Sequence, residues 1–109
     1  MSALALAACG ANSSPPATQA TGPVGTIHVV MKNISFNPPT LHAKVGQTVT
    51  WTNRDDAPHN VTHVSGPNFA PAPTFTNGHS FTIRLTRPGT ITYRCTIHPG
   101  MRATILVVP

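Results

Sequence analysis

Ser80-Phe81-Thr82-Ile83-Arg84-Leu85-Thr86-Arg87-Pro88-Gly89-Thr90-Ile91-Thr92-Tyr93-Arg94-Cys95 alternates apolar and polar residues on both sides of a Pro-Gly turn. Phe81, Ile83 and Leu85 fall on one face, and Thr82, Arg84 and Thr86 on the other. After the turn, Ile91, Tyr93 and Cys95 share a face opposite Thr92 and Arg94. A period of two predicts strands with one packed face, because successive strand side chains point to opposite sides of a sheet. Working outward, Leu41, Ala43 and Val45 alternate with His42 and Lys44, and Val49 and Trp51 with Thr50 and Thr52. Further strands are predicted over 27–32, 60–64 and 103–108. Turn signals separate them at Asn37-Pro38-Pro39, Gly46, residues 53–58 and Asn77-Gly78. No helix of useful length is predicted. Seven to eight short strands at this spacing predict an all-β fold: a single Greek-key antiparallel β-sandwich. Tyr93, four residues after Gly89 and two before Cys95, sits where such sandwiches place a tyrosine corner.

Composition agrees with strands. Charged residues are only 8% of the 109-residue chain, too few for a solvent-coated helical bundle, and 12 prolines and 8 glycines supply turns. The length suits one domain. Seven Lys and Arg against two acids give a formal net charge of +5, which favours attraction to acidic partners. The basic residues stand singly, at Lys32, Lys44, Arg54, Arg84, Arg87, Arg94 and Arg102, with few aromatics between them. That dispersal argues against nucleic-acid binding.

The two cysteines lie in unlike surroundings. Leu6-Ala7-Ala8-Cys9 resembles a bacterial lipobox, in which the leader is cut before the Cys and the new terminal Cys is lipidated. No Lys or Arg precedes the apolar run, which is shorter than a usual leader. Residues 10–24 are uncharged and rich in Pro, Gly, Ser and Thr, the composition of a tether. The expected organisation is a signal and lipobox remnant over 1–9, a flexible tether over 10–24 and one folded domain over 25–109. The folded part would then be exported, to the periplasm or cell surface, and anchored to the membrane through Cys9. No Cys lies between residues 10 and 94, so Cys95 has no disulfide partner in the core.

Cys95 opens Cys95-Thr96-Ile97-His98-Pro99-Gly100-Met101. A thiol, an imidazole and a thioether recur at three-residue intervals, in a loop short enough to aim all three at one point. Pro99 keeps His98 out of helical geometry, and Gly100 permits a tight return. A fourth donor must come from elsewhere. His59, in Asp56-Ala57-Pro58-His59-Asn60, is the best placed, and His63, deeper in its strand, is the rival. His28 and His42 fall on outward faces, and His79 follows the Asn-Gly turn. Two imidazoles, a thiolate and a thioether form the ligand set of a blue-copper electron-transfer site. Zinc gains little from a thioether, and the set leaves no open position for metal-activated water. A carrier is expected, not an enzyme.

At these residues the sequence resembles the plastocyanin/azurin (cupredoxin) family, over residues 25–108. The likeness is carried by Ile34-Ser35-Phe36-Asn37-Pro38, Leu41-His42-Ala43-Lys44-Val45-Gly46, Val49-Thr50-Trp51-Thr52-Asn53, Pro58-His59-Asn60-Val61 and the ligand loop. The C-x₂-H-x₂-M spacing is that of amicyanin-like members. The resemblance implies one copper ion per chain, held by His59, Cys95, His98 and Met101. Cys95 would be the short thiolate ligand, His59 the buried imidazole, His98 the one whose edge reaches the surface, and Met101 the weak axial ligand. Asn60 would tie the two ligand-bearing loops together. Electrons would leave through His98, past an apolar rim drawn from Pro99, Met31, Pro38, Pro39 and Phe69, to redox proteins that dock transiently on a monomer. The competing readings are a copper storage or delivery protein and a β-sandwich interaction module without metal. The first would favour clustered Met and His, whereas the three Met here are dispersed. The second leaves Cys95, His98 and Met101 unexplained.

Overall fold

The computed structural model describes residues 25–109, so Cys9, its lipobox and the tether lie outside the described residues. Eight strands follow in order: β1 (Thr26–Met31), β2 (Phe36–Asn37), β3 (Thr40–Lys44), β4 (Thr48–Asn53), β5 (Thr62–Ser65), β6 (Ser80–Arg84), β7 (Gly89–Arg94) and β8 (Arg102–Val108). They form two four-stranded sheets, ordered β2-β1-β4-β6 and β3-β8-β7-β5. The sandwich read from the alternation is present, and no helix occurs among the described residues. Four of its six strand pairs are antiparallel, as expected, and two are parallel. β1 runs parallel to β4, and β3 parallel to β8. Periodicity fixes which face is packed but says nothing of strand direction, so alternation alone could not separate these cases.

The inward faces are those expected. Val49 and Trp51 of β4, Leu41 and Ala43 of β3, and Ile91 and Tyr93 of β7 are buried. Trp51 is the centre of the packing, with its ring 5.3 Å from Tyr93 in an edge-on contact, 6.0 Å from Phe81 and 6.2 Å from Phe69. Such aromatic contacts add to the stabilisation from area burial. The outer face of the first sheet is a ladder of hydroxyls: Thr26 meets Thr48, Thr50 meets Thr82, and Thr52 meets Ser80, each at 2.8 Å.

Two details differ from the sequence reading. β2, only two residues long, lies where Asn37-Pro38-Pro39 indicated a turn alone. Tyr93 does not form a tyrosine corner: its phenol is in the core beside Trp51, and among the described residues neither Tyr93 OH nor Trp51 Nε1 has a hydrogen-bond partner. Burial pushes the Tyr93 pKa up to about 12, and the nearby indole N–H offsets part of that without reaching hydrogen-bond geometry.

Candidate metal centre

Two connections meet at one end of the sandwich: the loop leaving β4 and the loop between β7 and β8. The β7–β8 loop is closed at its neck, where Cys95 N donates to Met101 O at 3.0 Å, and Met101 N donates to His98 O at 2.9 Å. Cys95 and Met101 are thereby set inward, 0% and 1% exposed, while Pro99 and Gly100 form the exposed tip. Cys95 is buried and, among the described residues, has no disulfide partner.

The β4 loop is anchored through Phe75. His59 N donates to Phe75 O at 3.1 Å, and Phe75 N to His59 O at 2.9 Å. This isolated antiparallel bridge pairs the His59 backbone with Phe75, and His59 is fully buried. Its Nδ1 faces Cys95 Sγ at 3.9 Å, and its ring lies 4.9 Å from that of His98, at 68°. Metal–thiolate and metal–imidazole bonds of roughly 2.3 and 2.0 Å allow two donors to be up to about 4.3 Å apart, so a single ion can reach both atoms.

The tautomers follow from the partners. His59 Nε2 is 2.7 Å from Asp55 Oδ2, and a carboxylate accepts only. His98 Nε2 is 3.2 Å from Pro58 O, and a carbonyl accepts only. In the neutral ring each therefore carries its proton on Nε2, which leaves Nδ1 as the lone-pair nitrogen, the form in which an imidazole ligates metal. His98 is half-buried with an accessible edge, in contrast to His59. Asn60 ties the loops as expected. Its Nδ2 donates to Thr96 Oγ1 at 2.8 Å, and its Oδ1 accepts from Thr96 N at 3.0 Å.

The arrangement is open. Among the described residues, no three His, Cys, Asp or Glu side chains converge as a closed metal cage, and His98 makes its hydrogen bond to Pro58. The donors fit copper better than a harder ion: a buried thiol, two imidazoles with free Nδ1 lone pairs, and a buried thioether at the end of the same loop. His63 is not part of it. Its Nε2 donates to Gly66 O at 2.7 Å, and its ring stands edge-on to Phe69. His28, His42 and His79 are exposed, as expected.

The apolar rim needs correcting. Met31 is 0% exposed and belongs to the core, so it cannot meet a partner. Phe69 is half-buried and packs on Trp51 and His63. Pro38, Pro39 and Pro99 are exposed, and Ile97 of the ligand loop adds a 40% exposed apolar side chain.

Asp55 is the residue the sequence reading missed. Burial alone would raise the pKa of its carboxyl, but hydrogen bonds from His59, Ile34 and Asn33 outweigh that and hold it below the ordinary carboxylate range. Stability from a lowered carboxyl is present above the unfolded value near 3.8 and is lost as pH falls through the folded one. The available signal was its place four residues before His59, as one of only two acids in the chain.

Comparison with known proteins agrees with this geometry. Residues 24–108 match the family of copper binding proteins, plastocyanin/azurin family. The chain belongs to that family. Among its curated relatives, the amicyanin-alpha of Methylorubrum extorquens is 35% identical, with 98% of this chain and 99% of that protein covered. The amicyanin of Paracoccus denitrificans is 40% identical over 76% of this chain and 66% of its own length. A Cu(I) structure of an amicyanin variant superposes with a TM-score of 0.72 at 37% identity, covering 77% of this chain and 83% of that one. An oxidised amicyanin variant gives 0.72 at 38% identity, over 77% and 83%. Family membership accounts for the cupredoxin sandwich and for copper as the cofactor, one ion per chain.

Proposed function

We propose that the chain is a type 1 (blue) copper protein acting as a one-electron carrier, with His59, Cys95, His98 and Met101 as the ligands. The observation that carries this reading is the 3.9 Å approach of His59 Nδ1 to the Sγ of a buried, unpaired Cys95. A thiol sealed in the core would be inert by itself, but opposite an imidazole lone pair it is half of a metal site. The bound ion supplies the chemistry, cycling between Cu(II) and Cu(I). The chain holds its donors nearly still: His59 through the Phe75 bridge, Cys95 and Met101 through the loop neck, and both loops through Asn60. Fixed donors keep the rearrangement on electron transfer small. Four protein donors leave no open position for a substrate or a metal-activated water, so the protein transfers electrons and is not an enzyme.

His98, with Ile97 and Pro99 beside it, is the exit, and acidic redox proteins are the partners that suit a chain of net charge +5. Export and anchoring through Cys9 complete the reading. The full chain should partition into detergent after bacterial expression, and Cys9→Ser should leave it in the aqueous phase; equal partitioning of both removes the anchor. Function itself is tested by reductive titration of the copper-loaded protein. One electron per chain, reversible over repeated cycles with the metal retained, is the expected result. Loss of copper to a chelator on reduction would favour delivery instead.

A further inference from the structure

Asp55 stands at a junction. Oδ2 accepts from His59 Nε2 at 2.7 Å and from Ile34 N at 2.9 Å, while Oδ1 accepts from Asn33 N at 2.7 Å. The carboxylate is nearly buried, and its own N–H donates to Oδ1 of the fully buried Asn53 at 2.8 Å. Asn53 in turn donates to Ala57 O and Phe75 O, each at 3.0 Å. The backbone of Asp55 is thus locked to the segment that holds His59.

The other side of the junction is strained. Asn33 and Ile34 have φ of 56° and 55°, the left-handed region. Asn tolerates it, but a β-branched Ile there is unusual and costs on the order of 1–2 kcal/mol. Such a conformation persists only where the surroundings over-determine it. Here it turns two successive N–H groups onto one anion, as backbone concavities that bind anions do. Packing compensates Ile34 only in part, since the residue is 43% exposed.

Resting on the copper reading, we infer that Asp55, anchored by the Asn33–Ile34 amides, is a positioning residue that fixes the His59 tautomer for the metal and lowers the reduction potential of the centre. The carboxylate can only accept, so it keeps the His59 proton on Nε2 and the Nδ1 lone pair toward Cys95. Its negative charge, close to the ligand in a dry site, favours the more positive Cu(II) over Cu(I). The two amides restrain that effect by sharing the charge, and they stop the carboxylate from swinging away.

Three variants and one metal-free measurement test this. Asp55→Asn keeps the shape and removes the charge, and it should raise the potential, with about a tenfold shift in the Cu(I)/Cu(II) ratio at fixed ambient potential, or 59 mV for one electron. Asp55→Glu, which restores the charge, should recover most of it. Ile34→Gly relieves the left-handed strain but keeps the amide, so it should be more stable with an unchanged potential. An unmoved potential in Asp55→Asn, or an Ile34→Gly shift as large, would overturn the inference. If Asp55→Asn does not fold, nitrogen NMR of the wild-type protein without metal decides. A single His59 Nε2–H tautomer supports the role of Asp55, and an Nδ1–H or mixed tautomer overturns it. Absence of any blue copper signal in the wild type would instead sink the copper reading and leave the tautomer result standing.

Discussion

Cys95→Ser is expected to abolish the intense visible absorption of the copper-loaded protein while leaving the sandwich folded. Serine nearly matches cysteine in size, so the loop neck from Cys95 N to Met101 O can still close. Its hydroxyl does not ionise as a thiol does, so no thiolate remains to give the metal its covalent bond and colour. The buried hydroxyl, without the metal, also lacks a strong partner, which should cost about 1–3 kcal/mol of stability. Absorption spectra of both proteins with one equivalent of Cu(II), beside their unfolding midpoints, separate the two effects. Retained colour in the variant would remove Cys95 from the site; an unfolded variant would show the thiol to be needed for packing first.

Gly66→Ala should be the most damaging small substitution in the domain. At φ of 84°, a Cβ on Gly66 would lie 1.9 Å from Thr90 O and 2.8 Å from Thr90 C, both backbone atoms that cannot rotate away. Either β5 and its turn or the start of β7 must move, and β7 is the strand that delivers Cys95. The expected loss is about 3 kcal/mol or more, lowering Tm by upwards of roughly 10 °C in a domain this size. Gly78→Ala is the control. Its φ is 89°, but nothing lies within 4 Å of its Cβ, so it should lose only the conformational cost of about 1–2 kcal/mol. Equal losses in the two variants would show that conformation, not the clash, governs Gly66.

Much of the proposed copper site could be put forward from the sequence because local chemistry and loop length carry the proposal. Cys95, His98 and Met101 share seven residues, and a short loop between two alternating strands leaves few places for them to point. His59 was legible through its Pro-His-Asn setting, and Asn60 through the need to join two loops; the hydrogen bonds to Thr96 meet that need. Asp55 was not, because its role depends on Asn33 and Ile34, more than 20 residues away, taking a left-handed turn that an isoleucine does not announce. Gly66 escaped for the same reason: the close approach of Thr90 is a tertiary fact. Met31 was misplaced at the rim because alternation in β1 puts it inward but does not say how deep. The parallel pairings and the buried phenol of Tyr93 are likewise set by how the two sheets close, not by any one strand.

The most direct measurement is the electron paramagnetic resonance and visible spectrum of the purified protein after one equivalent of Cu(II). The expected result is an intense blue band with narrow copper hyperfine splitting, bleached by a reductant and restored by an oxidant. A pale spectrum with the wide splitting of an ordinary Cu(II) complex would contradict the assignment of His59, Cys95, His98 and Met101 as its ligands.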